Sequence, residues 1–262
     1  MESPVQIVQD SSEVFTIIFN RPEKLNALTP TVYRELEGAV QTFAKSSARL
    51  CVLRGAGDRA FISGADIEHY VGITREAYTE FMEYGHVVME TIRRTPKPFI
   101  AAINGYALGG GLEIALHCDL VVASEKSKLG LPEALLGLLP GGGGTQLLPR
   151  LVGRIRANDL IMRGRFLTAK EAFDCGFVSA VFSDDGFDDE LKEYLRQLLK
   201  HGPKAQAMIK GLIYDGLDLP LRDAIKLETA RTSQLIDSDD GREGVAAFVA
   251  KRKPNFGGKA ND

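Results

Sequence analysis

The sequence predicts an α/β fold that gives way to a helical C-terminal lobe. Three observations carry this reading. Short β-rich runs alternate with helix-spaced stretches through the first half. Glycines cluster at the junctions between them. Beyond about residue 185, helix formers replace strand candidates. The expected division is an α/β core over residues 1–195 and a helical oligomerisation lobe over 196–262.

The elements follow in order. Residues 14–19 read as a strand, which Arg21-Pro22 ends. Thr29-Pro30 supplies the cap and first-turn residue of a helix over about 31–44. Residues 50–53 form a second, buried strand, broken by Gly55-Ala56-Gly57-Asp58. Phe81, Gly85, Val88, Met89 and Ile92 keep helical spacing until Lys97-Pro98 stops the run. Residues 99–103 and 120–123 read as strands, with Asn104-Gly105 turning the first. Four glycines and Asn104, Glu113, His117 and Asp119 interrupt the apolar stretch 99–123, which argues against a lipid-spanning helix. Helices are expected over 188–200, 203–214 and 221–236. A last one should run from Asp240 to about Lys251, opened by an Asp240/Glu243 capping box and closed by Pro254.

Composition narrows the function. Acidic residues outnumber basic ones 35 to 32, a balance unlike that of a nucleic-acid binder. Three widely spaced cysteines (Cys51, Cys118, Cys175) build no disulfide framework and suit a reducing compartment. The first residues lack the charged and apolar regions of a signal peptide. A soluble, cytoplasmic protein with no membrane or nucleic-acid partner is expected.

Three constellations can carry chemistry. Residues 61–67 form a small-residue turn leading into Asp66 near a helix start. In residues 104–113, Gly109-Gly110-Gly111 open a helix, so orphan N–H groups and the positive dipole end face outward, with Glu113 in the first turn. The third, Gly130-Leu131-Pro132-Glu133-Ala134 with Pro140 and the run Gly141–Gly144, sets a second carboxylate beside another bend. Singly, each reads as readily as a packing device, a dipole partner or an ordinary helix start. Jointly they supply an acid/base pair and an oxyanion hole. Other chemistries lack their signatures. No P-loop or dinucleotide fingerprint is present, Ser63 is outside any G-x-S-x-G, and His69, His86, His117 and His201 show no metal-ligand spacing. No metal and no cofactor is implied.

These residues resemble the enoyl-CoA hydratase/isomerase (crotonase) superfamily, and most of all its hydratases. The resemblance lies in residues 20–28 (Asn-Arg-Pro-Glu-Lys-Leu-Asn-Ala-Leu), Gly64-Ala65-Asp66-Ile67, 103–113, Leu131-Pro132-Glu133, 140–146 and 240–253. It implies a crotonase-like spiral of ββα units whose C-terminal helices mediate a homotrimer, commonly doubled to a hexamer. It also implies that the N–H groups of Ala65 and Gly110 form the oxyanion hole for an acyl-CoA thioester, and that Glu113 and Glu133 hold the water added across C2–C3. CoA, part of the substrate, would lie along Lys24, Leu25, Ala27, Ala65, Asp66, Ile67 and Gly110. Lys251, Arg252 and Lys253 are candidates for its phosphates. The segments 70–84 and beyond Leu135 should build the acyl pocket. Two departures stand out: Glu68 where many hydratases carry lysine, and Leu147 where arginine is common. The alternatives are a Δ3-Δ2 enoyl-CoA isomerase or another crotonase-type acyl-CoA enzyme and, in a different class, an RNA-binding member.

Overall fold

The computed structural model describes residues 2–9 and 11–257. Strands β1 (Val5–Val8), β2 (Val14–Phe19), β3 (Leu50–Gly55), β5 (Phe99–Ile103), β7 (Leu120–Ser124) and β10 (Ala180–Phe182) form one sheet in the order β1-β2-β3-β5-β7-β10. Only β1 is antiparallel to its neighbour. A second sheet holds β4 (Ala60–Ile62), β6 (Tyr106–Leu108), β8 (Lys128–Gly130) and β9 (Phe166–Thr168). The successive pairs β3–β4, β5–β6 and β7–β8 each give one strand to each sheet. That is the spiral of ββα units the resemblance implies.

The central strands are buried on both faces, so they read as unbroken apolar runs. Alternate residues serve two cores. Cys51, Leu53, Ala101 and Ile103 face the larger one, built with α1 (Pro30–Lys45), α2 (Arg75–Arg94) and α3 (Gly110–Leu116). Leu50, Val52, Ile100 and Ala102 face the smaller, which α7 (Phe187–Leu199) closes with Phe187, Leu191 and Leu195. Helix α1 starts where expected: Thr29 Oγ1 accepts from Val32 N–H, and Pro30 fills the first turn. Its buried face is Val32, Tyr33, Leu36, Ala39, Val40 and Phe43.

Between these lie α4 (Gly144–Val152), α5 (Arg154–Met162) and α6 (Ala169–Asp174); α8 (Pro203–Leu217), α9 (Leu221–Ile236) and α10 (Asp239–Val249) follow α7. Lys210 anchors α8. Its buried ammonium donates to Asp119 at 2.8 Å and to the carbonyls of Ile92 and Lys97. Helix α9 buries no residue, and Leu221, Ile225 and Ile236 are exposed on it. No helix among the described residues is long and apolar enough to cross a membrane.

Several expectations are corrected. The Asp240/Glu243 capping box does not form. Ser238 is the N-cap, its hydroxyl accepting from Gly241 N–H, while the Glu243 carboxylate is taken by Arg252 and Asn255 N–H. A hydroxyl two residues earlier reaches the helix start without giving up a charge pair. Helix α10 also ends at Val249, short of Lys251 and well before Pro254. The second β-run continues to Gly55 rather than breaking there, because β2 pairs with it through Phe19–Gly55.

Lys210→Met leaves the Asp119 carboxylate buried without its cation. Breaking such a pair costs about 3–5 kcal/mol, so the urea midpoint should fall steeply. A loss below about 0.5 kcal/mol would mean the pair does not anchor α8.

Candidate active site

One cavity of about 280 Å³ gathers the predicted residues Ala65, Ile67, Gly110, Glu113 and Glu133. Its polar end is made by backbone. Gly110 opens α3, so its N–H has no carbonyl one turn back to bond. Ala65 forms an isolated parallel bridge with Leu28, in which Leu28 N–H donates to Gly64 O and Asp66 N–H to Leu28 O, both at 2.8 Å. That pairing uses Ala65's neighbours and turns its own N–H to the opposite side. Neither N–H meets a protein acceptor among the described residues. Gly109, just before, has φ of 51°, and a Cβ there would stand 2.8 Å from Glu133 Oε1. The left-handed backbone calls for glycine, and any side chain there would also push the Glu133 carboxylate aside.

Glu113 is 3% exposed. Its Oε1 accepts from Gly142 N–H at 2.7 Å and Gly144 N–H at 2.8 Å. Burial pushes its pKa up, against the pull of those two donors. Glu133 lies on the 3₁₀ turn Glu133–Leu136, half-buried, with Oε2 shielded and without a protein partner among the described residues. Burial above all, joined by the charge of Glu113, pushes it up to about 7. The two carboxylates therefore differ by environment: one held by amide donors, the other poised to keep a proton near neutrality.

The remaining predicted residues are not among those that line the cavity. Asp66 pairs with Arg21 at 3.0 Å, and Arg21 also donates to Ala27 O at 2.7 Å. Burial works to raise the Asp66 pKa, but the guanidinium prevails and holds it below the usual range. Lys24 pairs with Glu68 at 3.0 Å, so the acidic departure at 68 occupies that ammonium. Leu25 and Asn26 take left-handed backbone, and the Asn26 amide ties the loop to Ala56 O and Ala60 O. Leu147 packs against the main core. Arg252 is committed to Glu243 at 2.6 and 2.8 Å. Among the described residues no group of three or more His, Cys, Asp or Glu is arranged to hold a metal ion.

The profile of the family described as enoyl-CoA hydratase/isomerase matches residues 9–259. The chain belongs to that family. A "Probable enoyl-CoA hydratase" of Rhizobium meliloti (strain 1021) is 37% identical over 255 residues, covering 95% of this chain and 96% of the relative. The crotonyl-CoA hydratase of Syntrophomonas wolfei is 35% identical over 251 residues, covering 95% and 96%. The crystal structure of an enoyl-CoA hydratase from Bacillus anthracis superposes with a TM-score of 0.93 at 34% identity, covering 98% of this chain and 100% of that one.

Two features of this family member escape the sequence reading, the role of the run Gly141–Gly144 and the place of Tyr33. The run Gly141–Gly144 is the clamp on Glu113, not only a bend beside Glu133; a Cβ at Gly142 would lie 2.7 Å from Glu113 Oε2. Three tyrosines, Tyr33, Tyr70 and Tyr78, line the cavity with Phe81, Met82, Leu135, Leu138 and Leu139. The segments beyond residue 70 and beyond 135 thus do build its apolar wall. Tyr33 looked like an ordinary core position of α1, and nothing in its spacing set it apart.

The raised Glu133 pKa has a consequence for stability. The folded-state value lies above the unfolded one, so this group favours folding fully below the usual carboxylate range. That contribution is lost as pH rises through about 7. Glu133→Gln removes the loss. The variant's Tm should therefore gain on the wild type between pH 5 and pH 8, measured by thermal melts; an equal Tm difference at both pH values would contradict the shift.

Proposed function

We propose that this protein is a hydro-lyase that reversibly adds water across the C2–C3 double bond of a trans-2-enoyl-CoA, giving a 3-hydroxyacyl-CoA. The observation that carries this is an apolar cavity that holds at one end two backbone N–H groups with no acceptor among the described residues and two unlike carboxylates. The thioester oxygen accepts from Ala65 and Gly110 N–H. Water lies between the carboxylates, and Glu113, whose amide donors favour its ionised form, takes a proton from it. The water oxygen bonds to C3, and the π electrons move onto the thioester oxygen as an enolate. Donors aimed at that oxygen stabilise it without themselves titrating. Glu133, still protonated near neutrality, delivers its proton to C2. One proton passed from Glu113 back to Glu133, through solvent, resets the pair.

An isomerase needs only one carboxylate to move a proton between carbons, so retention of both supports hydration, as do the hydratase relatives. The excess of acidic over basic residues, 35 to 32, counts against the RNA-binding alternative. No cofactor is called for, CoA being part of the substrate. It would run beside Lys24, Leu25, Ala27, Asp66 and Ile67, with Lys251 and Lys253 near its phosphates. Three unpaired cysteines suit the cytoplasm, and the chemistry suits fatty acid metabolism. The chain assembles as a homotrimer or hexamer through its C-terminal helices; exposed Ile213, Leu217, Leu221 and Ile225 on α8 and α9 support this.

Kinetics on a panel of enoyl-CoA thioesters, followed by loss of the conjugated absorbance, tests the chemistry. Glu113→Gln and Glu133→Gln should each lower kcat by about 10²–10⁴ with little change in KM, and the double variant by far less than the product. Gly110→Pro deletes one oxyanion donor at the first helical position; a Cβ there meets Leu28 at 2.8 Å, so with the unfolding midpoint measured alongside, kcat per folded molecule should fall by about 10²–10³. Wild-type kcat/KM should fall as pH rises above about 7, where Glu133 of the free protein loses its proton. Near-wild-type turnover in any of these variants removes that residue from the mechanism. Multi-angle light scattering should give three or six chains per particle; an active monomer would contradict the assembly.

A further inference from the structure

The mechanism leaves three tyrosine hydroxyls of the cavity unused, one on buried Tyr33 and two on half-buried Tyr70 and Tyr78. The chain has seven tyrosines. Tyr84 donates to Glu37, Tyr194 bonds Ser179 and Tyr214 bonds Asp119. Tyr106 is 40% exposed and reaches water. The other three, Tyr33, Tyr70 and Tyr78, all line the active-site cavity, and none of their hydroxyls has a hydrogen-bond partner among the described residues.

Their rings are fixed. Tyr33 packs edge-on to Phe81 at 5.4 Å, Phe81 to Tyr70 at 6.2 Å, and Tyr70 to Tyr78 at 5.3 Å, one continuous aromatic wall. The place of Tyr33 depends on glycine at 85, where a Cβ would stand 3.2 Å from the ring and 3.4 Å from the hydroxyl. That hydroxyl also comes within 3.9 Å of where a Gly110 Cβ would be, close to the oxyanion donors. Burial and the neighbouring carboxylates keep all three phenols protonated, so each has a proton to donate. Apart from Ser63 and the two carboxylates that the mechanism already uses, the side chains around them are Leu, Ile, Met and Phe, which accept nothing.

A purely alkyl acyl chain packed against this wall would strip water from these donors and return no acceptor, and a donor left unpaired once it is covered is costly. We propose that the acyl group accepted here carries an oxygen of its own beyond C3, a hydroxyl, carbonyl or ether that accepts from Tyr33 and the Tyr70–Tyr78 pair. Plain alkyl enoyl thioesters of the same length are then the poorer substrates. This rests on the thioester reading of the site and specifies its substrate class. Sites built to bond a substrate oxygen discriminate against the analogue lacking it far more sharply than apolar pockets discriminate by size.

The test uses isosteric pairs on the full-length protein: 4-methoxycrotonyl-CoA against trans-2-hexenoyl-CoA, and 6-hydroxy-2-hexenoyl-CoA against trans-2-heptenoyl-CoA. At least one oxygenated partner should have a kcat/KM about tenfold or more above its alkyl counterpart. That ratio should fall toward unity in the variant carrying Tyr33→Phe, Tyr70→Phe and Tyr78→Phe, which keeps every ring. Calorimetric Kd values for the saturated thioesters should show the same preference in the wild type, independent of turnover and of whether the variant folds. Alkyl thioesters turned over and bound as well as both oxygenated ones would overturn the proposal while leaving hydration intact. So would a ratio unchanged in the triple variant. Preferential binding of an oxygenated thioester with no turnover of any would instead uphold it and count against hydration.

Discussion

A carboxylate buried to 3% exposure has to be met by donors, and two backbone N–H groups of one glycine run meet Glu113. The site depends on this contact. It ties the loop after Pro140 to α3, so the same hydrogen bonds that make Glu113 tolerable in the interior also close the cavity behind it. The glycines are required because the carboxylate sits where their side chains would be, at 2.7 Å from a Cβ on Gly142. Amide donors, unlike lysine or arginine, hold an anion without cancelling its charge, which leaves Glu113 able to act on a proton.

The neighbouring carboxylate is treated in the opposite way. Glu133 has a shielded oxygen with no protein donor and shares the cavity with Glu113, so burial and like charge both favour its protonated form. One fold thus gives two identical side chains different surroundings: two amide donors oppose the burial of Glu113, while Glu133 has one shielded oxygen with no protein donor among the described residues. The third polar element, the Ala65 and Gly110 N–H pair, costs no charge. It arises wherever a strand-like bridge and a helix start point their unpaired amides into one space.

Much of this was legible in the sequence, for identifiable reasons. The buried strands at 50, 99 and 120 are continuous apolar runs, and α1 declares itself through Thr29-Pro30 and its repeating apolar face. The second sheet was not legible. Its four strands have three residues each, too few for any period, and they exist because the spiral brings them side by side. The start of α10 was misread because an acidic pair matches the capping pattern as well as Ser238 does, and only Arg252, far along the chain, decides where Glu243 goes. Glu113 and Glu133 could be picked out because glycine turns flank them, and Ala65 and Gly110 because their loops resemble those of the family. Tyr33 could not, since a core aromatic and a cavity-lining donor share the same helical spacing.

The central claim is that this cavity puts water on C3 and a proton on C2. Proton NMR of crotonyl-CoA incubated with the protein in D₂O tests it most directly. The account predicts a 3-hydroxybutyryl thioester carrying a single deuterium at C2. Unchanged thioester, or a 3-butenoyl thioester with the double bond at C3–C4 and its deuterium at C2 but no oxygen on C3, would contradict it.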